Sequence, residues 1–111
     1  MVALEPAAIV LVRFPFSDLS APKLRPAVVL ARSGGVDWIL CQVTSNPYGD
    51  SAAVGMTSFA SGGLGRESFA RPGKLFTASA AIVVRRVGTL TSEAHRDLVE
   101  RVVSVLRSGA K

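Results

Sequence analysis

The chain has 111 residues, enough for one domain with one core and one principal site. Hydrophobic residues make up 49% of it, which supplies a closed core and argues against disorder except at the ends. Thirteen Lys and Arg against eight Asp and Glu leave a net charge of +5, so a polyanion, nucleic acid first, is the favoured partner class, although solubility alone can account for such a charge.

Ala8 to Val12 is a β-rich apolar run, closed by Arg13 and by Phe14-Pro15-Phe16, where proline removes a ladder donor. Ser17 to Leu24 contains Asp18, Ser20, Pro22 and Lys23 and reads as a loop. Pro26 suits the start of a strand, and Ala27-Val28-Val29-Leu30 is apolar on both alternating faces, as in a strand covered on two sides. After a turn at Ser33-Gly34-Gly35, Trp38 to Thr44 forms the next strand, with Ile39, Cys41 and Val43 on one face and Trp38, Leu40, Gln42 and Thr44 on the other.

Ser45 to Asp50 is dense in turn formers and leaves the sheet. Ala52 to Phe59 is a weaker strand interrupted by Gly55, and Ser61 to Gly65 is too glycine-rich for a regular element. Glu67 to Arg71 is a short strand, Pro72-Gly73 turns the chain, Leu75-Phe76-Thr77 is briefly extended, and Ala81 to Gly88 is a strong β run. One helix follows, capped by Thr91 or Ser92, with Glu93 near its positive end, and Gly109 ends it after Ser108. Leu98, Val99, Val102, Val103, Val105 and Leu106 recur at helical spacing as one apolar stripe. Many short strands and one terminal helix predict a mainly β fold, a small bent antiparallel sheet or barrel in a single domain.

No apolar run approaches the roughly 20 residues that cross a bilayer, since Arg13 stops the first and Glu100-Arg101 interrupt the last. The N-terminus has no basic segment before an apolar one, and a lone Cys41 makes no internal disulfide, so a soluble cytoplasmic protein without a membrane partner is expected. Arg85-Arg86 is the only adjacent basic pair, so any anion-binding surface must be assembled by the fold.

One histidine and one cysteine supply no metal-ligand spacing, and the Gly62 to Gly65 cluster lacks the Lys-Ser/Thr ending of a phosphate loop, so neither metal nor other cofactor is expected. His95, in the first turns of the helix, reads as a solvated residue, and Cys41, between Ile39 and Val43, as a buried inert thiol. Arginines, lysines and hydroxyls remain, which suit the holding of a phosphodiester. RNA brings its own nucleophile, the 2′-hydroxyl, so a metal-free ribonuclease needs only alignment, proton transfer and charge stabilisation.

Ile9 to Leu19 and Lys23 to Leu30 resemble the opening of the MazF/PemK toxins. Leu40-Cys41-Gln42-Val43-Thr44-Ser45 is similar to that family's third-strand motif, and Gly62-Gly63-Leu64, Ser68, Arg71-Pro72 and Lys74-Leu75-Phe76 resemble one branch of it, so the match spans roughly residues 8 to 106. The resemblance implies an SH3-like barrel of the PemK/CcdB type and a type II toxin, usually a homodimer neutralised by a cognate antitoxin. It implies a sequence-selective endoribonuclease that cuts single-stranded RNA to 2′,3′-cyclic phosphate and 5′-hydroxyl ends.

Carried over by position, the catalytic pair is Arg25, from the Arg-Pro motif, and Thr44, from the end of the third strand. Asp18, the acidic residue nearest the Arg-Pro motif, together with Lys23, Arg85 and Arg86 as phosphate contacts and Phe16 and Tyr48 as stacking surfaces, completes the candidate substrate site. The chain departs from the pattern in two places. Ala7-Ala8 stands where many members have Gly-Asp, and Ser20 to Leu24 lacks the glutamate that others place before Arg-Pro. Two alternatives stay open: a protein-binding toxin resembling CcdB, which acts on gyrase, and a noncatalytic RNA-binding module.

Overall fold

A computed structural model describes residues 2–14 and 23–109. Seven strands, β1 (Ala8–Phe14), β2 (Lys23–Gly34), β3 (Asp37–Thr44), β4 (Val54–Gly55), β5 (Phe59–Gly62), β6 (Phe69–Ser79) and β7 (Val83–Leu90), form one curled antiparallel sheet, and helix α1 (Ser92–Ser108) follows. The strand order is β4-β6-β3-β2-β1-β7-β5. The mainly β half-barrel with one terminal helix is the fold class expected.

The central strands are apolar on both faces because both faces are covered. Ile9, Val28, Cys41 and Val43 belong to one core, closed by Leu98 and Val102 of α1. Val10, Val12, Ala27, Val29, Trp38 and Leu40 belong to a second core on the other face, closed by Ala78, Ala80 and Val83 with Val2 and Leu4 packed against it. The alternation of Ile39, Cys41 and Val43 with Trp38 and Leu40 thus divides β3 between two cores. Each fully buried Ile, Leu or Val contributes about 1.5–3 kcal/mol, so the sheet is held from two sides.

Several boundaries differ from the sequence expectation. Lys23 and Leu24 open β2 rather than ending a loop, since β1 runs on to Phe14 and pairs with them. β2 continues through Gly34, and the turn falls on Gly35 and Val36, with Gly35 at φ 55. The Ala52 to Phe59 segment is strand only at Val54–Gly55 and at Phe59, which opens β5, and Ser61 and Gly62 join that same strand. Gly62 makes this possible: at φ +59, a Cβ there would lie 2.2 Å from the Val87 carbonyl oxygen, so only glycine fits.

Pro72-Gly73 is not a turn between two strands. β6 is continuous, and its register passes from Leu75 opposite Cys41 to Ala70 opposite Val43, so Arg71, Pro72, Gly73 and Lys74 bulge opposite Gln42 alone. Ala81 and Ile82 lie in a short 3-10 helix, Ala80–Ile82, capped by the Ser79 hydroxyl, and the strand begins only at Val83.

In α1 the Thr91 hydroxyl accepts from the Ala94 amide at 3.1 Å, and Gly109 caps the other end at φ 79. The buried stripe is narrower than expected, because Leu98 and Val102 are buried whereas Leu106 is 68% exposed. His95 is not the solvated residue expected: it is half-buried, and its Nε2 is shut from solvent with no hydrogen-bond partner among the described residues.

Ala7, where the resemblance expects glycine, has φ 80 and is the only non-glycine residue at positive φ among those described. Its amide donates to the Val29 carbonyl at 2.8 Å and its carbonyl accepts from the Leu90 amide at 2.9 Å. These two bonds hold a conformation that costs an L-residue about 1–2 kcal/mol.

Candidate nucleic-acid site at a strand fork

The β2–β3 ladder stops at Ala27 opposite Gln42, although both strands continue beyond it. β2 stays with β1 down to Lys23 opposite Phe14, and β3 stays with β6 up to Thr44 opposite Phe69. The two strand pairs therefore part, and Pro26, with no N–H to donate, sits at the parting. The fork opens a pocket of about 470 Å³.

Arg25 and Lys23 line one side of this pocket, Thr44 and Ser45 line the other, and Arg66 and Ser68 arrive from the segment between β5 and β6. Leu11, Pro26, Val43 and Leu64 supply apolar surface. Arg25 and Thr44 would have faced each other two residues past the last ladder pair, had the Ala27 to Gln42 register continued. The fork brings both to one space.

Among the described residues no carboxylate lines the pocket, and Lys23, Arg25 and Arg66 make no ion pair. Other arginines are engaged: Arg71 with Asp50 at 2.7 Å, Arg86 with Glu5 at 2.6 Å, and Arg32 over the Trp38 ring at 4.7 Å. The fork thus gathers three cations, none of them in an ion pair with a described residue, around one space. A smaller cavity of about 250 Å³ beside the start of α1 has the opposite character, since Glu93 and Asp97 line it, and a polyanion would be repelled there.

Thr44 stands at the end of a strand paired with β6, not on a free loop. Its Oγ1 accepts from the Asn46 amide at 3.0 Å and donates to the Asn46 carbonyl at 3.2 Å. The donated bond is long for O–H···O, so its hydrogen is easily redirected to a better acceptor. Downstream, the Asp50 carboxylate accepts from the Ala52 amide at 3.1 Å and from Arg71, whose hydrogen bond holds its carboxyl below the ordinary value.

The remaining candidates separate. Tyr48 is 93% exposed at the tip of the loop after β3 and does not line the pocket. Arg85 and Arg86 lie on β7 and do not line the pocket, although Arg85 pairs with Leu11, which does, and Arg86 is further occupied by a 2.6 Å hydrogen bond to the Thr89 hydroxyl. Phe16 and Asp18 lie outside the described residues. Cys41 is fully buried, donates its S–H to the Arg71 carbonyl at 3.1 Å, and is pushed by burial to a pKa of about 12, as befits an inert thiol.

Sequence reasoning missed Arg66 and Ser68. Nothing in their spacing relates them to Arg25, because they reach the fork only through the return of the chain from β5 to β6.

The fold, a curled antiparallel sheet followed by one C-terminal helix, is shared with known structures. Among solved structures the chain is similar to Mycobacterium tuberculosis toxin MazF-mt6, with a TM-score of 0.70 and 18% identity, covering 90% of this chain and 96% of that one. It is also similar to an endoribonuclease in complex with its cognate antitoxin from Mycobacterial species, with a TM-score of 0.71 and 10% identity, covering 98% and 100%. At these identities the likeness is one of fold. No family model matches the sequence, and no curated protein matches it.

Proposed function

We propose that the protein is the toxin of a type II toxin–antitoxin system, a metal-independent endoribonuclease that cuts single-stranded RNA sequence-selectively. The observation that carries this reading is the convergence of Arg25 and Thr44 on one cationic pocket free of lining carboxylates among the described residues. The Arg25 guanidinium grips two phosphate oxygens in a planar fork, so it stabilises the extra negative charge of the pentavalent transition state. Thr44 redirects its hydroxyl hydrogen from the Asn46 carbonyl to a phosphoryl oxygen. The substrate 2′-oxygen attacks phosphorus and loses its proton. The bond to the 5′-oxygen breaks, and that oxygen is protonated. The products are a 2′,3′-cyclic phosphate and a 5′-hydroxyl.

The partners that go with this reading are RNA, a second copy of the chain, and an antitoxin, as in the similar endoribonuclease that is in complex with its cognate antitoxin. A cytoplasmic site of action follows from an mRNA substrate. No helix of the described residues is long and apolar enough to cross a membrane.

The test is incubation of the purified protein with mixed-sequence single-stranded RNA in excess EDTA, followed by mapping of the ends. Cuts with 5′-hydroxyl termini are expected. Binding without cleavage would leave only an RNA-binding module, and cleavage that appears only with added magnesium would sink the metal-free mechanism.

A further inference from the structure

Arg66 sits on a segment that the fold holds still. Ser68, only 5% exposed, donates its hydroxyl to the Arg66 carbonyl at 3.0 Å, and the Ser68 carbonyl accepts from the Met56 amide at 3.0 Å. At the other end the Gly63 amide donates to the Val87 carbonyl at 3.1 Å, and Leu64 packs against the helix-side core. An arginine on so fixed a backbone keeps its base in place while its exposed side chain reaches the pocket.

Three cations around one space, none in an ion pair with a described residue, exceed what a single phosphodiester, with one negative charge, neutralises. A strand threaded through the fork also presents the next phosphate along. Resting on the ribonuclease reading of this site, we propose that Arg66 holds a phosphate adjacent to the one held by Arg25, so that the fork engages two consecutive linkages of the RNA. Arg66 is then a substrate-binding residue that sets affinity and the register of the strand.

The experiment measures binding of a fully 2′-O-methylated, mixed-sequence single-stranded RNA, which the proposed chemistry cannot cut, by fluorescence anisotropy over a series of salt concentrations. One lost phosphate contact lowers the slope of log affinity against log salt by about 0.7 on a single strand. Arg66→Gln is expected to lower affinity roughly tenfold and the slope by about 0.7. Arg66→Lys restores the slope. Arg25→Ala combined with Arg66→Gln lowers the slope by about 1.4, as two separate phosphates require. Arg107→Gln, at the end of α1, removes the same charge elsewhere and leaves both quantities unchanged.

An unchanged slope in Arg66→Gln overturns the proposal, and so does a double variant no worse than Arg25→Ala alone, which would put both arginines on one phosphate. If the wild type binds with the expected slopes yet cuts no RNA in EDTA, Arg66 keeps its role and the ribonuclease reading falls. If the wild type cuts but Arg66→Gln binds normally, only Arg66 is lost. Absence of binding by the wild type overturns both.

Discussion

Arg71 Nε donates to Asp50 Oδ2 at 2.7 Å, and this ion pair fastens the loop that follows Thr44 to the bulge of β6. The pair is largely sheltered, with side-chain exposures of 29% for Arg71 and 14% for Asp50. Its consequence depends on pH. The Arg71 hydrogen bond, followed by burial acting the opposite way, leaves the Asp50 carboxyl below its ordinary 3.8. A carboxyl depressed in the folded state stabilises the protein above its unfolded pKa and loses that contribution as pH falls through the folded one. Arg71→Ala should therefore cost about 1–2 kcal/mol at neutral pH. In urea unfolding the gap between wild type and variant should hold down to about pH 5 and shrink below about pH 4; a gap that widens in acid would refute the assignment.

Arg25→Ala should slow RNA cleavage by on the order of 10²–10³-fold, the usual loss when a transition-state donor is removed. Thr44→Val should lose a large part of the rate, and Thr44→Ser should keep most of it, because serine retains the hydroxyl that bridges Asn46. Initial rates on one fluorescent RNA decide the matter. Wild-type rates in Arg25→Ala or Thr44→Val would remove that residue from the mechanism.

Cys41 should resist thiol reagents in the folded protein at about pH 8, where a thiol with a pKa of about 12 holds almost no thiolate. Unfolding in guanidinium should release it to react at once. The same raised pKa favours the protonated folded state, so this contribution to stability is complete below 9.0 and lost as pH rises toward about 12. Rapid native-state labelling would contradict the burial.

Gly88→Ala should be among the most damaging single substitutions. A Cβ at Gly88 would lie 2.6 Å from the Gly63 amide nitrogen and 2.9 Å from the Ser61 carbonyl oxygen, both backbone atoms that yield only if β5 moves off β7. A loss of about 3 kcal/mol or more is expected, read as a fall in Tm. Because β5 leads into the segment carrying Arg66, RNA affinity should drop as well. A variant with unchanged Tm would show that the two strands are less tightly apposed.

The sequence made some of this legible and hid the rest for identifiable reasons. Strand β3 could be read with its two faces, because period-two apolarity survives when each face meets its own core. Helix α1 could be read to its caps, since Thr91 and Gly109 are local signals. β6 was broken into pieces by Pro72-Gly73, which signals a turn locally; its continuity comes from β3, which pairs on both sides of the bulge. For the candidate site, Arg25 and Thr44 were visible through resemblance alone. Arg66 was not visible at all, because the contact that gives it meaning is made by chain return and leaves no spacing to read. The buried Nε2 of His95 shows the same limit, since helical periodicity placed the residue without revealing how far its ring is shut from solvent.

The fork between β2 and β3 gives the pocket two jaws carried by different strand pairs. One jaw is paired with β1 and the other with β6, and the last ladder pair that joins them is Ala27 with Gln42. Ala27 is fully buried, so a larger side chain there would act as a wedge at the pivot, altering the opening between Arg25 and Thr44 without touching either. On the proposed ribonuclease reading, RNA preference then depends on this core position as well as on the residues that meet the strand.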